Sequence, residues 1–322
     1  MMKKRTIRLI SFIIVVSLLA MLLPSCSNKE KVYKIGIAKF EAHDAIDRST
    51  EGFRESVISG LGGIDYVEFI EYNIGRDSNY CDKIIKKFID KDVDLIMANG
   101  TGALQSAAKA TDSIPILGTS ITDFETALDF KGVKGALGKN ITGTSDIAPL
   151  DEMAKVITDT VPDAKMVGIL YCSSESNSDY QVKRMTNILR GNGLSVTQYP
   201  FENDKDLSAI AKTAADLSDV IYIPADNATS NLAKEIDSII RPTGTPVIAT
   251  GEDNCKAFGV ATLAIDYKEL GKKTGEMAVD ILLGEKNVQD IEIAYLPGPT
   301  KKFNVERGNE LGIQIPIGYE AF

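Results

Sequence analysis

Two successive series of apolar strand-like runs alternating with amphipathic helix-like runs predict an α/β protein with two doubly wound parallel-sheet lobes. The first series opens with a strand over residues 32–38, Val-Tyr-Lys-Ile-Gly-Ile-Ala. Residues 45–59 carry Ile46, Phe53 and Val57 near helical spacing. A strand over 66–72 follows, then a helix over 80–90 whose apolar side is Ile84, Ile85, Phe88 and Ile89. Strand 93–98, helix 103–110 and strand 114–119 complete the series. The second series runs through strand 166–171 and helix 179–190, with Gly191 and Gly193 as stop signals. Then come strand 194–199, helix 206–217, strand 220–223, helix 228–240, strand 247–250 and a long helix 267–283 ended by Gly284. Between the series, residues 143–149 are small, polar and proline-ended, which suits a crossover strand or hinge.

The N-terminus carries an address. Lys3, Lys4, Arg5 and Arg8 precede an apolar run over residues 9–23, broken only by Ser11 and Ser17, and Leu23-Pro24-Ser25-Cys26 closes it. A basic region, an apolar region and small residues before a cut site make a secretory signal, and the run is too short for a comfortable membrane span. Cys26 after a small residue resembles a bacterial lipobox, in which the cysteine is lipidated and becomes the mature N-terminus. Pro24 departs from the usual small or aliphatic residue there, and a plain signal peptide with an incidental cysteine is the alternative. The expectation is a lipoprotein signal over 1–25, a lipidated tether over 26–31, and a folded part working outside the cytoplasm on a membrane face.

Composition narrows the function. The apolar fraction of 44% and charged fraction of 25% are those of a globular chain. A net charge of −9 without a basic stripe argues against nucleic acid. Beyond Cys26, the widely spaced Cys81, Cys172 and Cys255 make no disulfide framework and no zinc cluster. The single histidine, His43, and the absence of a GxSxG elbow disfavour a hydrolase, so no catalytic residue, metal or cofactor is expected.

Open parallel sheets bind ligands beyond the carboxyl ends of their strands. The first series places Asn99-Gly100-Thr101-Gly102 and Thr119-Ser120-Ile121-Thr122-Asp123 there. The second places Cys172 to Asn177, Pro224-Ala225-Asp226-Asn227 and Gly251-Glu252-Asp253-Asn254. Hydroxyls with helix N-terminal N–H groups suit a carboxylate, and Asp226 with Glu252 suits an ammonium, so a zwitterion between the lobes would satisfy both. Each such residue also has a plain reading as a helix cap, Asn227 and Thr101 among them. The glycine turn lacks GxGxxG spacing, which argues against a dinucleotide.

These residues resemble a family. Ile35-Gly36-Ile37-Ala38 with Phe40, His43-Asp44-Ala45-Ile46-Asp47, Ser120-Ile121-Thr122-Asp123, Gly143 to Pro149, Pro224-Ala225-Asp226-Asn227, Gly251-Glu252 and Ala264-Ile265-Asp266-Tyr267 are similar, in order and spacing, to substrate-binding lipoproteins of ABC importers. The branch is that of the type 1 periplasmic-binding-protein fold that includes tryptophan-binding proteins. The resemblance implies two lobes joined by three crossover strands: lobe one over 32–145 plus 266–290, lobe two over 146–265 plus 291–322. It also implies a monomer that closes on a small ligand and presents it to ABC permease subunits. For the site it implies a carboxylate held by Thr101, Ser120 and Thr122, and an ammonium held by Asp226 and Glu252, with Asn227 beside them. Phe40, Tyr171 and Phe258 form an aromatic wall or, equally, packing. The chain departs from the family pattern at Gly100-Thr101-Gly102-Ala103 and at Phe124. An aromatic amino acid such as tryptophan or phenylalanine leads as ligand; a sensing receptor for a nucleoside or sugar, and an extracytoplasmic hydrolase, are the rival readings.

Overall fold

The computed structural model describes residues 31–130 and 135–322. The expected signal segment over 1–25, Cys26 and all but the last residue of the expected tether lie outside the described residues.

The first sheet contains β1 (Tyr33–Lys39), β2 (Val67–Asn73), β3 (Leu95–Asn99), β4 (Ile116–Ile121), β5 (Ile141–Ser145) and β11 (Ala294–Tyr295), in the order β11-β5-β4-β3-β1-β2 and parallel throughout. The second contains β6 (Met166–Cys172), β7 (Ser195–Phe201), β8 (Val220–Ile223), β9 (Val247–Ala249), β10 (Ala261–Ala264), β12 (Thr300–Phe303) and β13 (Glu320–Ala321), in the order β13-β12-β10-β9-β8-β6-β7. There β12 runs antiparallel to β10, and the other pairs are parallel. The order of the first five strands of each series is therefore the same, with a switch point between β1 and β3 in one lobe and between β6 and β8 in the other. That is where an open parallel sheet leaves a crevice.

The central strands are buried along their whole length, as strands covered on both faces must be. Helices α1 (Asp44–Gly60), α2 (Ser78–Asp90), α3 (Thr101–Ala110) and α4 (Phe124–Leu128) accompany the first sheet; α5 (Leu150–Thr160), α6 (Ser176–Gly191), α7 (Asp204–Leu217), α8 (Asn227–Asn231), α9 (Ala233–Ile240) and α10 (Glu252–Phe258) accompany the second. The long helix α11 (Tyr267–Leu282) returns to the first lobe, where Met277 and Ala278 join its core, and α12 (Val305–Leu311) follows β12. The helix expected over 228–240 is two helices, broken at Leu232, whose backbone (ψ 17°) leaves the helical range.

The chain passes between the sheets three times, at residues 146–149, 265–266 and 296–299. The pairing of β11 with β5, Ala294 opposite Thr144 and Tyr295 opposite Ser145, lies beyond the lobe-one boundary expected at residue 290. It gives the outer side of β5 hydrogen-bond partners before the last crossing.

The two helices α1 and α11 approach backbone to backbone. A Cβ at Gly52 would fall 2.0 Å from the Lys268 carbonyl oxygen, and one at Gly271 would fall 1.9 Å from that of Ser49. Gly275 faces the Phe53 carbonyl and Ser56, and Gly60 faces Val279. From Ser49–Gly271 through Ser56–Gly275 to Gly60–Val279 the residue numbers rise together, so the helices are parallel, and both begin at the same end of the lobe. Replacing Gly271 by Ala is expected to push them apart and cost about 1–3 kcal/mol. Thermal unfolding should show a melting point lower by several degrees. Gly191→Ala, where a Cβ meets open space, should leave it unchanged or slightly raised.

Candidate functional site

The carboxyl ends of both sheets face a cleft of about 490 Å³, within the range of pockets for small ligands. One wall comes from α1 with Ser120, Thr122, Asp146 and Tyr267; the other comes from Asn177, residues 225–227, α8 and α9, and residues 250–254.

On the first wall, α1 begins after His43 with no side chain capping it, and residues 42–46 line the cleft. Its first-turn N–H groups and the positive end of its dipole therefore face the ligand space. Ser120 stands at φ +54° beside a break in the β4–β5 register between Gly118 and Ile121. A non-glycine residue held in the left-handed region at a strand end is strained, and such strain clusters at functional sites. The bulge turns Ser120 towards the cleft, with its hydroxyl donating to Ser49 Oγ at 3.2 Å. Asp146, the first residue after β5, is 6% exposed. It accepts from Thr122 Oγ1 at 3.2 Å and from the Tyr267 hydroxyl at 3.0 Å. Burial pushes its carboxyl up, against the two hydroxyls and its own backbone.

On the second wall, Asp226 caps α8. One carboxylate oxygen accepts from the Cys172 N–H at 2.7 Å and the Ser178 hydroxyl at 2.7 Å, the other from the Thr229 N–H at 2.9 Å. Burial, with Glu175 nearby, raises this carboxyl against those three donors. Glu175 holds the same helix start, accepting from Asn227 N, Asn227 Nδ2 and Ala228 N. Gln181 clamps Ala225 at both its N–H and its carbonyl. Glu252 is tied to Lys256 at 2.5 Å and Lys302 at 3.0 Å. Burial would raise its carboxyl, but the bonds from the two lysines outweigh that and hold it low.

The lobes touch across the cleft. His43 Nε2 meets Asn227 Oδ1 at 3.1 Å. Because Asn227 Nδ2 donates to Glu175, its Oδ1 accepts, and the network assigns the proton to His43 Nε2. Burial lowers the imidazole's basicity, against the Asn227 bond and the nearby Glu175. Glu41 accepts from Asn231 and pairs with Arg76 at 2.5 Å, while Arg76 also reaches Asp204 at 3.0 Å. Gln105 donates to Ser176 at 3.3 Å.

A family model described as ABC transporter substrate binding protein matches residues 34–318. The chain belongs to the ABC transporter substrate-binding protein family. It is 29% identical over 271 residues to the tyrosine-binding protein of Clostridioides difficile (strain R20291), covering 84% of this chain and 78% of that one. A Streptococcus pneumonia domain solved in complex with L-Trp is 26% identical with a TM-score of 0.86, covering 90% of this chain and 99% of its own. The ligand-free, open structure of a Clostridium difficile substrate-binding protein with adhesive properties is 30% identical with a TM-score of 0.70, at the same coverages. The open relative has the higher identity and the poorer overlay, in keeping with lobes that here are bonded across the cleft. The fold is the type 1 periplasmic-binding-protein fold, and this substrate-binding protein works outside the cytoplasm.

Of the residues expected from sequence, Ser120, Thr122, Asp226, Asn227 and Glu252 line the substrate-binding protein's cleft. Phe40, Thr101 and Tyr171 are not among its lining residues. Phe40 packs its ring on Gly102, where a Cβ would fall 2.0 Å from it. Thr101 is buried at the start of α3, and Tyr171 and Phe258 belong to the second lobe's core. Sequence reasoning missed Asp146 and Tyr267 as lining residues, although the strand-end rule would have found Asp146. It also missed Ser230, Asn231 and Lys234, which reach the cleft from helices where no strand-end signal points. Cys81, Cys172 and Cys255 are buried free thiols.

Two outcomes follow from this arrangement. Replacing Asp226 by Ala strands two backbone N–H groups and a hydroxyl, and is expected to cost about 2–5 kcal/mol of stability, read by denaturant unfolding without ligand. Burial pushes Glu41 up to about 6, against Arg76 and with help from Glu175 and Asp204. A carboxyl raised on folding holds its proton more tightly in the native state, so its contribution is full below its ordinary value and lost as pH rises through about 6. The melting point of the ligand-bound, closed protein should fall across that window, and Glu41→Gln should flatten the fall.

Proposed function

We propose that this protein captures a small zwitterion in the cleft, an aromatic L-amino acid such as tryptophan, tyrosine or phenylalanine, for an ABC importer. The observation that carries the reading is that uncapped helix N–H groups and buried carboxylates face one cleft. The uncapped start of α1 offers N–H donors to a carboxylate. Buried acids at the same cleft offer acceptors to an ammonium. The L-Trp complex and the tyrosine-binding relative support the aromatic class. The ring would lie against the small apolar surfaces of Ala42, Ala45, Ala225, Ala233 and Ala257. A sugar is less well served, since Tyr267 is the only tyrosine, phenylalanine or tryptophan among the lining residues and its hydroxyl is bonded to Asp146.

The mechanism is capture by closure. Ligand contacts from both walls favour the closed form over the open one by their difference in affinity for the two. The His43–Asn227 and Glu41–Asn231 contacts form only when the lobes meet. The closed form is then what the permease subunits recognise. In this reading the protein acts as a monomer, held at the membrane through lipid on Cys26.

A thermal-shift panel on protein beginning at Lys31 tests the ligand class. Free ligand at about a thousand times its dissociation constant stabilises by about 4 kcal/mol, which is several degrees. The expected response is confined to tryptophan, tyrosine and phenylalanine among the amino acids. A response to sugars or nucleosides alone would overturn the zwitterion reading.

A further inference from the structure

We propose that Asp146 is the acid that receives the ligand's ammonium group, and that its position on the first crossing ties that charge to lobe closure. This rests on the amino-acid reading above and carries it to a residue.

The acids around the cleft differ in what balances them. Glu252 has Lys256 and Lys302. Asp226 has three donors, two of them backbone N–H groups, at the start of α8. Asp44 and Asp253 lie in the first turns of α1 and α10, at positive helix ends. Asp146 has none of these. Its partners are two neutral hydroxyls, and among the described residues no lysine or arginine lies within ion-pair distance of it. A buried carboxylate without a counter-charge is costly, and it is relieved by taking up a proton or by a cation. Burial does raise this carboxyl. Each oxygen accepts one hydroxyl bond and keeps capacity for another, and the side chain lines the cleft. An ammonium, with three donors and a full charge, supplies what the site lacks.

The position adds a second role. Asp146 follows β5 at the first crossing, Tyr267 begins α11 immediately after the second, and Thr122 stands just past the end of β4. The three are joined by the Asp146 carboxylate. A cation arriving there sits where two of the connecting segments meet the first lobe.

The test compares each of L-tyrosine, L-tryptophan and L-phenylalanine with its deamino acid, which keeps ring and carboxylate and lacks the ammonium. Calorimetry on wild type and Asp146→Asn gives the ratio of the two affinities. In wild type the amino acid is expected to win. In the variant its affinity should fall by about 30-fold or more while that of the deamino acid is unchanged or improved, so the preference collapses. A merely structural role would weaken both ligands together and keep the ratio, and that result would overturn the assignment. Should Asp146→Asn not fold, judged by its far-ultraviolet dichroism and ligand-free melting, Asp146→Ser keeps a hydrogen-bonding group without added bulk and gives the same ratio. Wild type that binds no amino acid would sink the amino-acid reading, and the assignment with it. Wild type that binds, beside a variant with the ratio intact, sinks the Asp146 assignment alone.

Discussion

The close parallel contact between α1 and α11 is the constraint on which the rest of the molecule depends. α1 follows the first strand of the chain, and α11 follows the last parallel strand of the second lobe. Carbonyl oxygens of one helix occupy the space where side chains would stand on the other, at Gly52 and Gly271. Because the helices are parallel, their N-termini end up side by side at the cleft, which brings Tyr267 to the same wall as His43 to Ile46. The end of α1 has no side-chain cap, whereas Asp266 caps that of α11 by accepting from Lys268 N and Glu269 N. The contact that anchors the returning chain therefore also sets which helix ends stand at one wall.

Against that positive end the molecule gathers buried carboxylates, and it balances most of them locally. Lysines answer Glu252, backbone N–H groups answer Asp226 and Glu175, and Arg76 answers Glu41. Several of these balances have a geometric by-product. Arg76 spans from Glu41 in one lobe to Asp204 in the other, and Asn227 spans from Glu175 to His43. Polar groups that a single lobe would leave half-satisfied find their second partner when the lobes meet, so closure is favoured by hydrogen-bond completion as well as by ligand.

The fold was legible because its signal is collective. Alternating apolar strands and amphipathic helices, such as Leu95 to Asn99 before the α3 helix, repeat often enough to fix the class. Site residues were legible where they stand directly after strands, as Ser120, Thr122 and Asp226 do. The same rule drew in Thr101 and Phe40, because sequence shows that a residue follows a strand and not which way its side chain turns. Gly102 decides that for Phe40, by leaving room for its ring against α3. Ser230, Asn231 and Lys234, farther along α8 and α9, were out of reach, since their place depends on the break at Leu232 and on how the second lobe meets the first. Asp146 falls inside the stretch from Gly143 to Pro149, and its lack of a counter-charge appears only when its surroundings are known.

The threefold passage of the chain between the sheets also orders how the protein can assemble. The strands β6 to β10 are contiguous in sequence, so five of the second lobe's seven strands precede residue 265, while β12 and β13 follow the last crossing. The first lobe has its central strands earlier but lacks α11 and β11, which lie beyond that point. Until they arrive, the glycine face of α1 and the outer side of β5 have no partner. A chain emerging from its N-terminus would thus carry both lobes unfinished, the first until β11 arrives and the second until β12 and β13 follow it, with apolar surface exposed in the meantime.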